Sequence, residues 1–326
     1  MTADTPASSD GPLVAELSED ALLARIFPLL PVGAGTHVPP GDDAAVVAAP
    51  DGRFVVTTDV LVEDRHFRRA WSSGEDVGRR AAVQNLADVA AMGARPTSLV
   101  VALVVPADLP VSWVEGLARG LAAECAQLQV GVVGGDLSGG PVVVVSVTAH
   151  GDLAGRAPVL RSGARPGDVV AHAGVAGRSA AGLALLEAGR RELDTVLVDA
   201  HLRPVSPLDA GPAAADAGAT AMLDVSDGLL RDAGRIARAS GVRIDLDADA
   251  FTVDRDRLRS VADELGAVAE RWVLDGGEDH GLLATFPAGS TLPVPFRAVG
   301  RVGEGAGVTV DGVAAPARSG WDHFGG

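Results

Sequence analysis

The chain has 326 residues, is 47% hydrophobic and carries a formal net charge of −16. It is long enough for two domains, and its acidity excludes nucleic acid or an anionic membrane as the main partner, because a polyanion is held by a basic patch. All 27 basic residues are arginine and lysine is absent, which removes the P-loop, the protein kinases and Schiff-base chemistry, each of which needs a lysine.

Residues 1 to 17 are small, polar and acidic and read as a disordered tail. This opening lacks the basic and then apolar run of a secretory signal, and no apolar run is long enough to span a bilayer, so a cytoplasmic protein is expected. Ser18 is the expected N-cap of an amphipathic helix, SEDALLARIFPLL. Strand RFVVTTDVLV, helix EDVGRRAAVQNLADVAAMGA, strand SLVVALVVP, helix SWVEGLARGLAAECAQLQ and strand VVVVSVTAHG follow. The single Cys125, on an apolar helical face, reads as a small buried thiol.

A linker rich in Gly, Arg and Pro, GDLAGRAPVLRSGARPGD, leads to a second series. Its members are strand DVVAHAG, helices RSAAGLALLEAG and GPAAADAGATA, strand AMLDV, helix GLLRDAGRIARAS and strand VRIDLD. The stretches AERWVLDGGEDHGLLATFP and FRAVGRVGEGAGVTVDG read as strands with glycine turns. These elements predict an α/β (α+β) fold with sheet in both halves, an N-terminal domain over 18–155 and a C-terminal one over 156–326.

Five acidic spots place an Asp at a strand end or in a glycine turn: PGDDAAV, VTTDVLVE, NLADVAAMG, VGGDLSGG and LDVSDGLLRD. For Asp227 an N-cap role explains the residue as well as any chemistry does. Asp88 sits mid-helix among Leu86, Val89 and Met92, where such a role fails. Two carboxylates about 4 Å apart repel by roughly 4 kcal/mol at an effective dielectric near 20, so a cluster of them protonates or takes up cations. Oxygen donors without His or Cys favour Mg²⁺ or Ca²⁺, and Mg²⁺ commonly completes its shell with phosphate, which points to a Mg–nucleotide enzyme without a P-loop. The glycine turn in HAGVAGRSAAG lacks the dinucleotide spacing and reads as a tight strand-to-helix connection. His66 in VEDRHF follows the acidic strand closely enough to reach a phosphate, whereas His150, His172 and His201 read as surface or core residues. Trp321 is either an anchor for the tail or a stacking platform.

Taken together, GDDAAV, TTDVLVEDRHF, NLADVAAMGA, GGDLSGG, RSGARPGD, LDVSDGL, GGEDHGL and GWDHF, in this order, resemble the thiamine-monophosphate kinase family. That family lies in the superfamily typified by aminoimidazole ribonucleotide synthetase. The resemblance implies a two-domain fold of that superfamily and a homodimer formed through the N-terminal sheets. It also implies transfer of the ATP γ-phosphoryl group to thiamine monophosphate, the last step of thiamine diphosphate biosynthesis, with several Mg²⁺ ions. Carried over by motif, Asp43, Thr57, Thr58, Asp59, Asp88, Asp136, Asp224 and Asp227 would hold the metals, with Asp59, Asp88, Asp224 and Asp227 at the catalytic centre. Gly135, Asp136, Arg161 and Ser226 would contact ATP, and His66, Glu278 and Trp321 the substrate. An acceptor that is already a phosphate needs no strong general base, which agrees with the missing lysine. The chain departs from the family pattern at Asp64, where a small residue is usual, at Leu137, and at His280 and Gly281. Sister families in the superfamily would want a reactive cysteine or a different C-terminal pattern, and a non-catalytic Mg²⁺ or nucleotide sensor would keep the same ligands.

Overall fold

The computed structural model describes residues 11–39, 45–316 and 320. They pack as two compact units, each discontinuous in sequence. Among the described residues the first comprises 11–39, 45–48, 58–82 and 97–148, and the second 49–57, 83–96, 149–316 and 320. In the N-terminal half, Ser18 caps α1 (Glu19–Ile26) by accepting the Ala21 N–H at 3.2 Å. Strands β1 (Thr36–Val38) and β2 (Val46–Val47) pair with each other. β3 (Val55–Val62), α2 (Gly74–Ala91), β4 (Arg95–Val105), α3 (Val111–Gln127), β5 (Gly131–Gly139) and β6 (Val144–Asp152) follow. A four-stranded sheet runs in the order β3-β6-β4-β5, with β4 and β5 parallel.

Along β6 every second side chain is buried, from Val145 through Val147 to Ala149. That period of two means that one face of the sheet is covered and the other is not. The strand at 131–139 carries too many glycines to be recognised by propensity, and it forms because Ser98 through Val105 offer a parallel partner. Gly135 sits where a Cβ would lie 1.9 Å from the Val101 carbonyl oxygen, so close backbone approach alone requires a glycine there. Cys125 is buried and burial pushes its thiol up to about 12, which makes it inert.

In the C-terminal half come β7 (Val169–Ala173), α4 (Arg178–Glu187), α5 (Thr195–Leu202), α6 (Ala210–Asp216), β8 (Ala221–Val225), α7 (Leu229–Ser240) and β9 (Arg243–Leu246). They are followed by α8 (Thr252–Leu265), α9 (Ala269–Asp275), β10 (Gly281–Phe286), β11 (Arg297–Gly303), β12 (Gly307–Val310) and β13 (Val313–Ala314). A seven-stranded sheet runs β13-β12-β9-β11-β7-β10-β8. β8 and β10 are buried at every position, so they show no alternation. Met222, Leu282, Phe286 and Phe296 form one core with Ala91 and Val159. The segment AERWVLD, expected as strand, is the helix α9, and the helices α5 and α8 escape the sequence pattern entirely. Among the described residues no helix is long and apolar enough to cross a membrane.

Candidate functional site

Alternation along β3 gives the strand two sides. Thr57 and Asp59 are half-buried, whereas Val56, Thr58 and Val60 are exposed on the opposite face. Thr58 spends its hydroxyl on the Val147 carbonyl at 2.9 Å, so its side chain does not share a face with its two neighbours. Asp59, expected at the strand's end, is the fifth of eight residues in β3. The chain then turns through Asp64, whose φ of +62° lies in the left-handed region that Asp adopts more readily than bulkier residues. After the turn, His66 Nδ1 accepts the Val62 N–H at 2.9 Å. A neutral His66 therefore carries its proton on Nε2. Gly135 and Asp136 lie on exposed backbone of β5, with the Ser138 hydroxyl 3.4 Å from Asp136 Oδ2.

In the second unit, Thr57 donates its hydroxyl to Asp88 Oδ2 at 2.8 Å. The mid-helix Asp88 thus points toward β3. A second cluster arises because β8 and β10 are paired antiparallel, Val225 opposite Gly281. The end of one strand therefore lies beside the start of the other, and their loops meet. Glu278 N–H donates to the Ser226 carbonyl at 2.8 Å and His280 N–H to the Val225 carbonyl at 3.0 Å. The His280 ring lies with Nδ1 3.4 Å from Asp224 Oδ2 and Nε2 3.6 Å from Glu278 Oε2. Burial disfavours its protonation, but Asp224 and Glu278 outweigh burial and push His280 up to about 10.

Asp227 does not cap α7. Its carboxylate pairs with Arg235, which also pairs with Asp232, and its N–H donates to Asp232 Oδ2 at 2.9 Å. Asp232 was missed in the sequence. It is fully buried, and burial pushes its carboxyl up to about 7 despite Arg235. Its signal was an acid on the apolar stripe of α7 between Leu229 and Ala233. Arg161 is exposed and its carbonyl accepts from the Ser240 hydroxyl at 3.2 Å. Gly320, at φ +73°, packs on the Asp227 carbonyl so closely that a Cβ would lie 2.1 Å from it. Asp43 and Trp321 lie outside the described residues.

The glycine turn before α4 proves structural. The helix N-terminus is filled by the chain's own Asp279, which accepts from Gly177 and Ser179 N–H, where a bound pyrophosphate would otherwise sit. The remaining donors suit a hard cation, since Thr57, Asp59, Asp88, Asp136, Asp224 and Asp227 offer oxygen only. Among the described residues no three of His, Cys, Asp and Glu gather as ligands of one ion. Mg²⁺ held by one or two carboxylates, with water and phosphate completing its shell, requires no such gathering.

Residues 41–153 match the AIR synthase related protein, N-terminal domain, and residues 165–274 the AIR synthase related protein, C-terminal domain. The chain is 49% identical to the thiamine-monophosphate kinase of Mycobacterium tuberculosis, over 99% of this chain and 97% of that protein. It is 43% identical to that of Corynebacterium glutamicum, over 97% and 96%. The solved structure of AaThiL complexed with AMPPCP and TMP superposes with a TM-score of 0.78 at 34% identity, covering 97% of this chain and 100% of that one.

Proposed function

The chain belongs to the thiamine-monophosphate kinase family, and from that membership we propose that it transfers the γ-phosphoryl group of ATP to thiamine monophosphate, giving thiamine diphosphate and ADP. The observation that carries the reading is the 49% identity to a thiamine-monophosphate kinase across 99% of the chain. The AaThiL complex, with its ATP analogue and TMP, supports the same pair of substrates.

The acceptor is a phosphate whose oxygen is already anionic near neutral pH, so the chain's task is to bring two anions together and hold them in line. Asp43, Thr57, Thr58, Asp59, Asp88, Asp136, Asp224 and Asp227 hold Mg²⁺ in this reading, Thr58 through its backbone because its hydroxyl is engaged elsewhere. Held by these residues, Mg²⁺ would supply neutralisation of the phosphate charge. Gly135, Asp136, Arg161 and Ser226 contact ATP. His66 donates from Nε2 to a substrate oxygen, and Glu278 and Trp321 complete the substrate contacts. In this reading the phosphoryl group passes directly from ATP to the acceptor phosphate.

Residues 18–155 serve in this reading as the domain for ATP, Mg²⁺ and dimerisation, and 156–326 as the second α/β domain. A homodimer through the N-terminal sheet is supported by its uncovered face, where Val56 is 56% and Val60 44% exposed. A cytoplasmic location goes with ATP as the co-substrate. The test mixes the protein with ATP, Mg²⁺ and thiamine monophosphate and follows thiamine diphosphate by chromatography. Product that requires all three establishes the reading; ATP binding without product overturns it in favour of a nucleotide sensor.

A further inference from the structure

The loop 276–281 holds two left-handed residues that are not glycine, Glu278 at φ +68° and His280 at φ +51°. Each costs an L-residue about 1 kcal/mol or more, and such backbone persists only where its surroundings fix it. Glu278 and His280 are each tied by their N–H to the end of β8, as described above. Between them, Asp279 turns the opposite way. Its Oδ2 accepts the Gly177 N–H at 2.5 Å and its Oδ1 the Ser179 N–H at 2.8 Å, both at the N-terminal turn of α4. The anchor is itself braced, because the buried Ser179 hydroxyl lies 3.0 Å from Nδ1 of the buried His201 on α5.

We infer that Asp279 is a positioning residue for phosphoryl transfer, locking the loop to α4 so that His280 faces Asp224 and Glu278 faces His280. The inference rests on the kinase reading proposed above. Capping α4 does not by itself call for this residue, since a serine or asparagine caps a helix without burying a charge. Burial in fact pushes the Asp279 carboxyl up to about 7, while the Ser179 and Gly177 N–H groups draw it down. What a neutral cap lacks is two-point attachment. One carboxylate grips two N–H groups two residues apart, which fixes the direction of the peptide on either side of it. The role acts through Glu278 and His280, because both oxygens of Asp279 are engaged by the helix end.

The experiment compares wild type, Asp279→Asn, Glu278→Gln and the double variant by kcat and KM for thiamine monophosphate, by affinity for a non-hydrolysable ATP analogue, and by melting temperature. Asp279→Asn is expected to remain folded, to keep analogue affinity within about 2-fold, and to lose about 10- to 100-fold in kcat/KM for thiamine monophosphate, the range found for groups that orient ligands. In the Glu278→Gln background the same change is expected to cost less than about 3-fold, because both act through one group. Full multiplication of the two losses, or a loss no larger than the unfolded fraction, overturns the inference. Asp279→Ser, whose shorter side chain cannot span both N–H groups, is the reserve variant and should lose at least as much as Asp279→Asn; failure of both to fold makes Asp279 a folding residue and also overturns it. Absence of turnover in wild type overturns the kinase reading, whereas wild-type turnover with unchanged Asp279→Asn overturns only the positioning role.

Discussion

Single residues carry the chemistry, and two of them lend themselves to direct tests. Asp59→Asn keeps the side-chain volume while weakening a candidate metal ligand. It is expected to leave the circular dichroism spectrum unchanged and to lower kcat on the order of 100-fold or more, since even groups that only orient a metal ligand are worth about 10- to 100-fold. A variant with wild-type turnover would remove Asp59 from the metal set. His172 tests acid stability. Burial, assisted by the nearby Arg297 charge, pushes it down to about 3, and its Nδ1 has no hydrogen-bond partner among the described residues. Between its ordinary value of 6.5 and about 3 the unfolded chain binds a proton there that the native chain does not. His172 therefore leaves stability intact above pH 6.5 and erodes it as pH falls through that window, by up to about 1.4 kcal/mol per pH unit. His172→Leu should make the acid branch of a stability-versus-pH curve shallower by up to that amount while leaving neutral stability unchanged or raised. At this scale the acids in glycine turns were visible in the sequence, because small neighbours betray an exposed backbone. Asp232 and Asp279 were not, because what defines them is burial against Arg235 and against the end of α4.

Elements show why local pattern reaches only part of the fold. AERWVLD carries its apolar residues at Ala269, Trp272, Val273 and Leu274, a spacing that suits a helix better than the expected strand, and it packs as the helix α9 where a Cβ on Gly177 would lie 2.7 Å from the Trp272 carbonyl carbon. β5 is held by its parallel neighbour rather than by its own propensity. The helices α2 and α3 meet through Gly74 and Gly78 on one and Gly116 and Gly120 on the other. A Cβ at Gly78 would lie 2.1 Å from the Leu117 carbonyl oxygen, and one at Gly120 2.2 Å from that of Glu75. Gly78→Ala sets two effects against each other. Helix propensity favours alanine by about 1 kcal/mol, whereas forcing two backbones apart in a packed core costs about 1 to 3 kcal/mol. Packing wins, so a lower denaturation midpoint is expected; a higher one would mean that the helices separate freely.

The whole molecule is acidic, built in two discontinuous units, and no composition shift could reveal that residues 83–96 belong with the C-terminal half. They do so because the small residues of that segment let Gly211 approach until a Cβ there would lie 2.0 Å from the Ala90 carbonyl oxygen, a match between surfaces far apart in the chain. Net charge of −16 together with the carboxylates proposed as Mg²⁺ ligands predicts that Mg²⁺ raises the melting temperature. At 100 times its dissociation constant an ion bound only by the native state adds about 2.7 kcal/mol. A shift of a few degrees with Mg²⁺, absent with K⁺ at equal ionic strength, is expected; equal shifts would reduce the effect to screening.

The uncovered face of the N-terminal sheet sets the last test. Val56, Thr58 and Val60 project from β3 on the side away from Thr57 and Asp59, and β6 adds the half-buried Val144, Ser146 and Thr148 on its own less covered side. Thr148 donates its hydroxyl to Thr58 at 3.2 Å, so the two strands present one continuous surface. A stable interface buries about 800 Å² per partner, and an acidic chain gains nothing from leaving such an apolar strip in water. A second copy of the same face supplies a matching apolar surface by symmetry. Light scattering should therefore return twice the chain mass for wild type. Val60→Glu places like charges across the two-fold contact and should return the monomer, while Thr57 and Asp59, on the other side of the strand, keep their surroundings. Monomeric wild type, or a Val60→Glu variant that remains dimeric, would move the contact to another face.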